Sequence, residues 1–137
     1  MSAVVGTWGS GPFENDGAWD WVGDLQEART ADRAAIVRSA LTLGQGYLQV
    51  DDGQAAIAAV AVVAAVTSGT TTQPAGWPDL FTGDASLSLP DDLKDLALTA
   101  LDRVTSRDSE LQSLRTEGGP DHDWDAQITA LRSSLQR

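Results

Sequence analysis

Ala55-Ala56-Ile57-Ala58-Ala59-Val60-Ala61-Val62-Val63-Ala64-Ala65-Val66 decides the fold. These twelve residues are the longest apolar run in the chain. A membrane span needs about 20, so the run predicts a core helix. A helix that is apolar all round has to be covered on most of its sides. Its many alanines let neighbouring helices come close. Just before it, Asp51 and Gln54 have the spacing of a capping box, and Val50 and Ala55 stand at the staple positions. Asp51 is therefore expected to cap this helix. The helix belongs at the centre of the fold.

The segments on either side read as its cover. A helix from about 15 to 28 carries Ala18, Trp21, Val22, Leu25 and Ala28 on one stripe, with Asp16, Asp20, Asp24 and Glu27 opposite and Trp19 on a flank. Asn15 or Asp16 suits the N-cap. A second helix is expected from Thr30, as its cap, to somewhere between Gly44 and Val50. Its apolar residues cover about half of its circumference, which predicts good burial. Residues 67–89 are rich in Thr, Ser, Gly and Pro and read as a long loop, with Trp77, Leu80 and Phe81 as anchors. Connections of that length are uncommon and are usually functional or disordered. Beyond the loop, Leu93, Leu96, Ala97, Ala100, Leu101 and Val104 lie at helical spacing. A short helix over 109–117 follows, with Asp108 as its expected cap and Gly118-Gly119-Pro120 as its stop. The last helix carries Trp124, Ile128, Leu131 and Leu135 on one stripe. No stretch alternates convincingly enough for a strand. The expectation is an all-α, single compact domain over 1–137, with five to six helices packed around the Ala/Val-rich one. Residues 1–14 form a Gly/Trp lead-in.

Charge narrows the partners. Twenty acids, sixteen of them Asp, oppose nine bases, for a net charge of -11. Such a chain is repelled by nucleic acid and by anionic membranes. Any partner that charge steers is basic. The absence of cysteine removes disulfides, thiolate metal sites and cysteine catalysis. The first 28 residues contain five acids and no base, unlike a secretory signal, so a cytoplasmic protein is expected.

Few motifs carry chemistry. Gly9-Ser10-Gly11 lacks the preceding strand, the third glycine and the Lys-Ser/Thr pair of a phosphate loop. Gly9, Gly11 and Pro12 read as backbone geometry, Asn15 as a cap, and Phe13, Ala18 and Trp21 as packing. Asp16, Asp20 and Asp24 step by four along one face, but oxygen cages for hard cations draw on several elements, so no metal or cofactor is assigned. His122 stands among Asp121, Asp123 and Asp125, which could orient it as a general base. No nucleophile partner is identifiable, and no catalytic residue is assigned.

The N-terminal residues carry a resemblance. Trp8-Gly9-x-Gly11-x-Phe13-Glu14-Asn15-Asp16-x-Ala18-x-Asp20-Trp21, followed by Asp24-Leu25, resembles the start of the bacterial family called domain of unknown function 4259. Tyr47-Leu48 and Ser109-Glu110-Leu111 extend the likeness along the chain. The chain departs from the pattern at Gly17, where an acid is expected, and at Arg115, where an aromatic is common. The resemblance implies a small, stand-alone helical domain of bacterial origin, and no activity.

The preferred reading is a non-enzymatic interaction or regulatory protein, of the immunity type. It binds a basic protein partner through Trp8, Glu14, Asp16, Trp19, Asp20 and Asp24. A hydrolase or metal-dependent enzyme built on Glu14, Asp16 and Asp20 with His122 is the first alternative. Small-molecule binding under 67–89 is the second. An exposed Trp19 or Trp77 would equally suit a homodimer face.

Overall fold

A computed structural model describes residues 16–44, 46–68, 90–119 and 121–136. They form six helices: α1 (Asp16–Glu27), α2 (Thr30–Leu41), α3 (Val50–Ser68), α4 (Asp92–Val104), α5 (Glu110–Arg115) and α6 (His122–Leu135). Among the described residues the only β-type pairing is one isolated parallel bridge between Leu48 and Ser109. The all-α architecture is as the sequence predicts, and α3 is its axis.

Every other helix packs against α3. Residues 56–64 are buried without interruption, as a helix apolar all round requires. α1 contributes Ala18, Val22 and Leu25 to the core, and α4 contributes Leu93, Ala97, Ala100, Leu101 and Val104. α6 adds Trp124, Ile128, Leu131 and Leu135, the four residues of its predicted stripe. Trp21 is half-buried against this core.

α2 departs from expectation in length, cap and burial. It ends at Leu41, before Gly44. Arg29, not Thr30, occupies the N-cap position, and no side chain caps it. Among the described side chains of α2 only Val37 and Leu41 are fully buried, while Ala34, Ile36 and Ala40 are half-buried. The early stop has a tertiary cause. The Thr42 hydroxyl donates to the Arg38 carbonyl at 2.8 Å and closes the last turn. Arg103, on α4, then donates to the carbonyls of Gly44 and Gly46 and holds the chain out of the helix. Gly46 turns there with φ +94°, a conformation that favours glycine. Leu48 follows, its N–H donating to the Asp108 carbonyl at 2.6 Å and its carbonyl accepting from Glu110 N–H at 2.8 Å.

That junction also replaces two expected caps. α3 begins at Val50, so Asp51 lies inside the helix rather than at its cap. The Val50 N–H donates instead to the Glu110 carboxylate, at 2.8 Å. At α5 the cap is Ser109, not Asp108, with its hydroxyl accepting from Gln112 N–H at 3.3 Å. Ser109 has the extended backbone of the bridge, which is the conformation an N-cap needs. α5 stops at Arg115, two residues before the predicted Glu117. α6 is capped by Asp121, which accepts from Trp124 N–H at 3.0 Å.

α3 extends to Ser68, so residues 67 and 68 of the predicted 67–89 loop are helical. Residues 69–89, with Trp77, Leu80 and Phe81, lie outside the described residues. No helix among the described residues is long and apolar enough to cross a membrane.

Candidate functional site

The two faces of α1 follow from its sequence. Ala18, Val22 and Leu25 recur at helical spacing and go into the core, which fixes the rotation of the helix. That rotation leaves Asp20, Asp24 and Glu27 exposed, and Trp19 with 39% of its surface in solvent. Asp16 is the first residue of the helix. α1 contains no base. Among the described residues neither Asp20 nor Asp24 has an ion-pair partner; the pairs there are Arg29–Asp32, Arg38–Asp92 and Arg132–Asp102.

Among the described residues, positive charge meets α1 at its far end. Arg33, on α2, donates to the carbonyls of Leu25 at 3.2 Å and Gln26 at 3.1 Å. The guanidinium thereby satisfies end carbonyls that α1 cannot satisfy itself. Among the described residues no such contact reaches Asp20 or Asp24.

Asp20 and Asp24 thus lie on the outer surface of α1, opposite its buried stripe, with Trp19 partly exposed on the flank. Trp8, Gly9, Gly11, Pro12, Phe13, Glu14 and Asn15 lie outside the described residues.

His122 opens α6 and is exposed. It lines an open depression of about 510 Å³ with Arg115, Gly118, Gly119, Asp121 and Asp123. The Asp121 carboxylate is occupied as the α6 cap. Arg115 lies over the Trp124 ring, 5.3 Å from its centroid, and the indole N–H donates to the Gln112 side chain at 2.7 Å. α6 packs chiefly on α3 and α4, whereas α1 packs on α3 and α2. No group of three or more His, Asp or Glu side chains among the described residues is arranged to hold a metal ion.

One polar residue beside α1 departs from its expected place. Gln54, assigned to a capping box, is instead buried on α3, with 7% of its surface exposed. It lies against Gly17 in the first turn of α1, where a Cβ would collide with its Oε1. The only sequence signal for this contact is Gly17 itself, a residue without a side chain.

The chain belongs to the family described as Domain of unknown function (DUF4259), whose model matches residues 6–127. No curated protein and no solved structure matches the chain.

Proposed function

From membership of a family without an assigned activity, we propose that this protein is a non-enzymatic interaction or regulatory protein. It docks a basic protein partner, in the manner of an immunity protein, on the outer face of α1. The observation that carries this reading is the base-free helix surface of Trp19, Asp20 and Asp24, exposed and without ion-pair partners among the described residues. A net charge of -11 adds a long-range field of the same sign. Trp19 supplies what acids alone lack, an aromatic surface on which a cation or its aliphatic stem can rest. The lead-in residues Trp8 and Glu14, which the sequence also marks as candidates for binding, adjoin α1 in sequence.

The test is affinity capture from native lysate at low and high salt, with the wild-type chain and a triple Asp16→Lys, Asp20→Lys, Asp24→Lys variant. A partner retained by wild type, released by salt and absent from the variant is the expected result. Partners that bind the variant equally well would exclude the α1 face.

A further inference from the structure

Two short segments far apart in sequence are fastened to each other chiefly by hydrogen bonds. Residues 46–50 lead into α3, and residues 105–116 run from the end of α4 through α5. The Leu48 N–H donates to the Asp108 carbonyl at 2.6 Å, and the Leu48 carbonyl accepts from the Glu110 N–H at 2.8 Å. The Glu110 carboxylate accepts in turn from the Val50 N–H, also at 2.8 Å. Arg103 reaches over from α4 and donates to the carbonyls of Gly46 and Asp108. All of these bonds depend on the one register set by the Leu48–Ser109 bridge. A displacement of Leu48 along its partner therefore breaks them together.

Burial adds little to this fastening. Leu48, Ser109 and Leu111 are the only buried residues of the two segments, against five on α4 and four on α6. α5 has six residues, too few to persist as a helix without its neighbours. Its second tie is to α6, where the Gln112 side chain accepts from the Trp124 indole N–H at 2.7 Å and Arg115 lies over the ring. Gly46 opens the first segment with φ +94°, and Gly119 follows the second with φ +116°. No described atom comes within 4 Å of where a Cβ would stand at either glycine. Glycine absorbs a large backbone rotation at little steric cost, which suits both positions to a hinge.

We infer that residues 46–50 and 105–116 form a latch that opens and closes as one unit, while α1, α2, α4, α6 and the body of α3 stay packed. The Glu110 carboxylate is its catch, because it alone joins the side chain of α5 to the backbone of α3. Proteins open locally in such cooperative units, and those with few buried apolar contacts open at the lowest cost. Opening frees the Val50 N–H and uncovers the seat of Leu111 at Gly53, where a Gly53 Cβ would stand 3.2 Å from the Leu111 Cβ. It also releases the Trp124 indole N–H from Gln112. The latch and the α1 docking face are independent, and neither needs the other.

Native-state hydrogen exchange of the full chain, followed by NMR at a series of low denaturant concentrations, tests the latch. The backbone amides of residues 48, 50 and 110 and the Trp124 indole N–H are expected to exchange through one shared opening. That opening should be populated about tenfold or more above the one that exposes Val60 or Leu101, with a weaker denaturant dependence. Glu110→Ala should speed exchange of the whole set by about tenfold, the worth of a helix cap, and Glu110→Gln should leave it near wild type. Gly46→Ala, which strains the closed backbone without meeting a described atom, should speed the same set several-fold. Exchange of these groups in wild type only together with Val60, at the same protection and denaturant slope, overturns the latch, because the junction then opens only with the whole fold. A Glu110→Ala effect confined to the Val50 amide also overturns it, because the bonds then break one at a time.

Discussion

At the scale of single residues, glycines separate by what surrounds them. Gly23 lies inside α1, and among the described residues nothing comes within 4 Å of the place a Cβ would take. Its only effect there is to loosen the unfolded chain and weaken the helix. Gly23→Ala is expected to stabilise the protein by about 0.5–1 kcal/mol, read as a higher denaturant midpoint. A lower midpoint would mean that another group occupies the space. Gly53 is different, because a Cβ there would meet the Leu111 Cβ at 3.2 Å, where α5 approaches α3. Arg103 shows how far a residue's role can exceed its sequence reading. Near the end of α4 it suits the helix dipole, but its guanidinium also holds Gly44, Gly46, Ser106 and the Asp108 carbonyl. Nothing in the spacing of these residues shows that two connectors meet at one side chain.

At the scale of elements, helix ends are fastened by other helices. The Glu110 carboxylate caps α3 from α5. Glu110→Ala should cost about 0.5–2 kcal/mol, the usual value of an N-cap, and Glu110→Gln should retain most of it. Equal losses in both variants, measured by chemical denaturation, would show that charge rather than the acceptor oxygen matters. The Arg38–Asp92 pair joins α2 to α4 through two contacts, at 2.7 and 3.0 Å. The hydrogen bonds from Arg38 hold the Asp92 carboxyl below its usual value, and Asp92 in turn raises Arg38. A depressed carboxyl stabilises the fold above its unfolded pKa, near 3.9, and loses that contribution as pH falls through the folded value. Both side chains are well exposed, so the effect is small and screened by salt. The melting-temperature difference between wild type and Asp92→Asn should be steady near neutrality and shrink below about pH 4. A difference that grows with acid would reverse the sign of the linkage.

At the scale of the whole molecule, α3 is enclosed and α1 is half in solvent, and substitutions should follow that division. Ala59, fully buried on α3, has small volume because other helices close on it. Ala59→Leu is expected to destabilise by about 1–3 kcal/mol or more through overpacking. Asp24→Asn, on the outer face of α1, should stay within about 0.5 kcal/mol. Comparable losses at the two positions would mean that the α1 surface is structural. If they differ as expected, the exposed carboxylates are free to be judged by binding.

The sequence by itself determined the helical class, the central place of residues 55–66 and the rotation of α1, because apolar spacing at 3.6 residues per turn is a local property. For the same reason it placed Asp20 and Asp24 opposite the apolar stripe and Trp19 on its flank. The tertiary structure decided where α2 stops, which groups cap α3 and α5, and that Gln54 meets Gly17. Glu110 and Val50, or Arg103 and Gly46, are far apart in sequence. Their hydrogen bonds compete with local caps only after α3, α4 and α5 have packed together. Side-chain spacing predicts a helix face, but a contact between two helices exists only once both have a position.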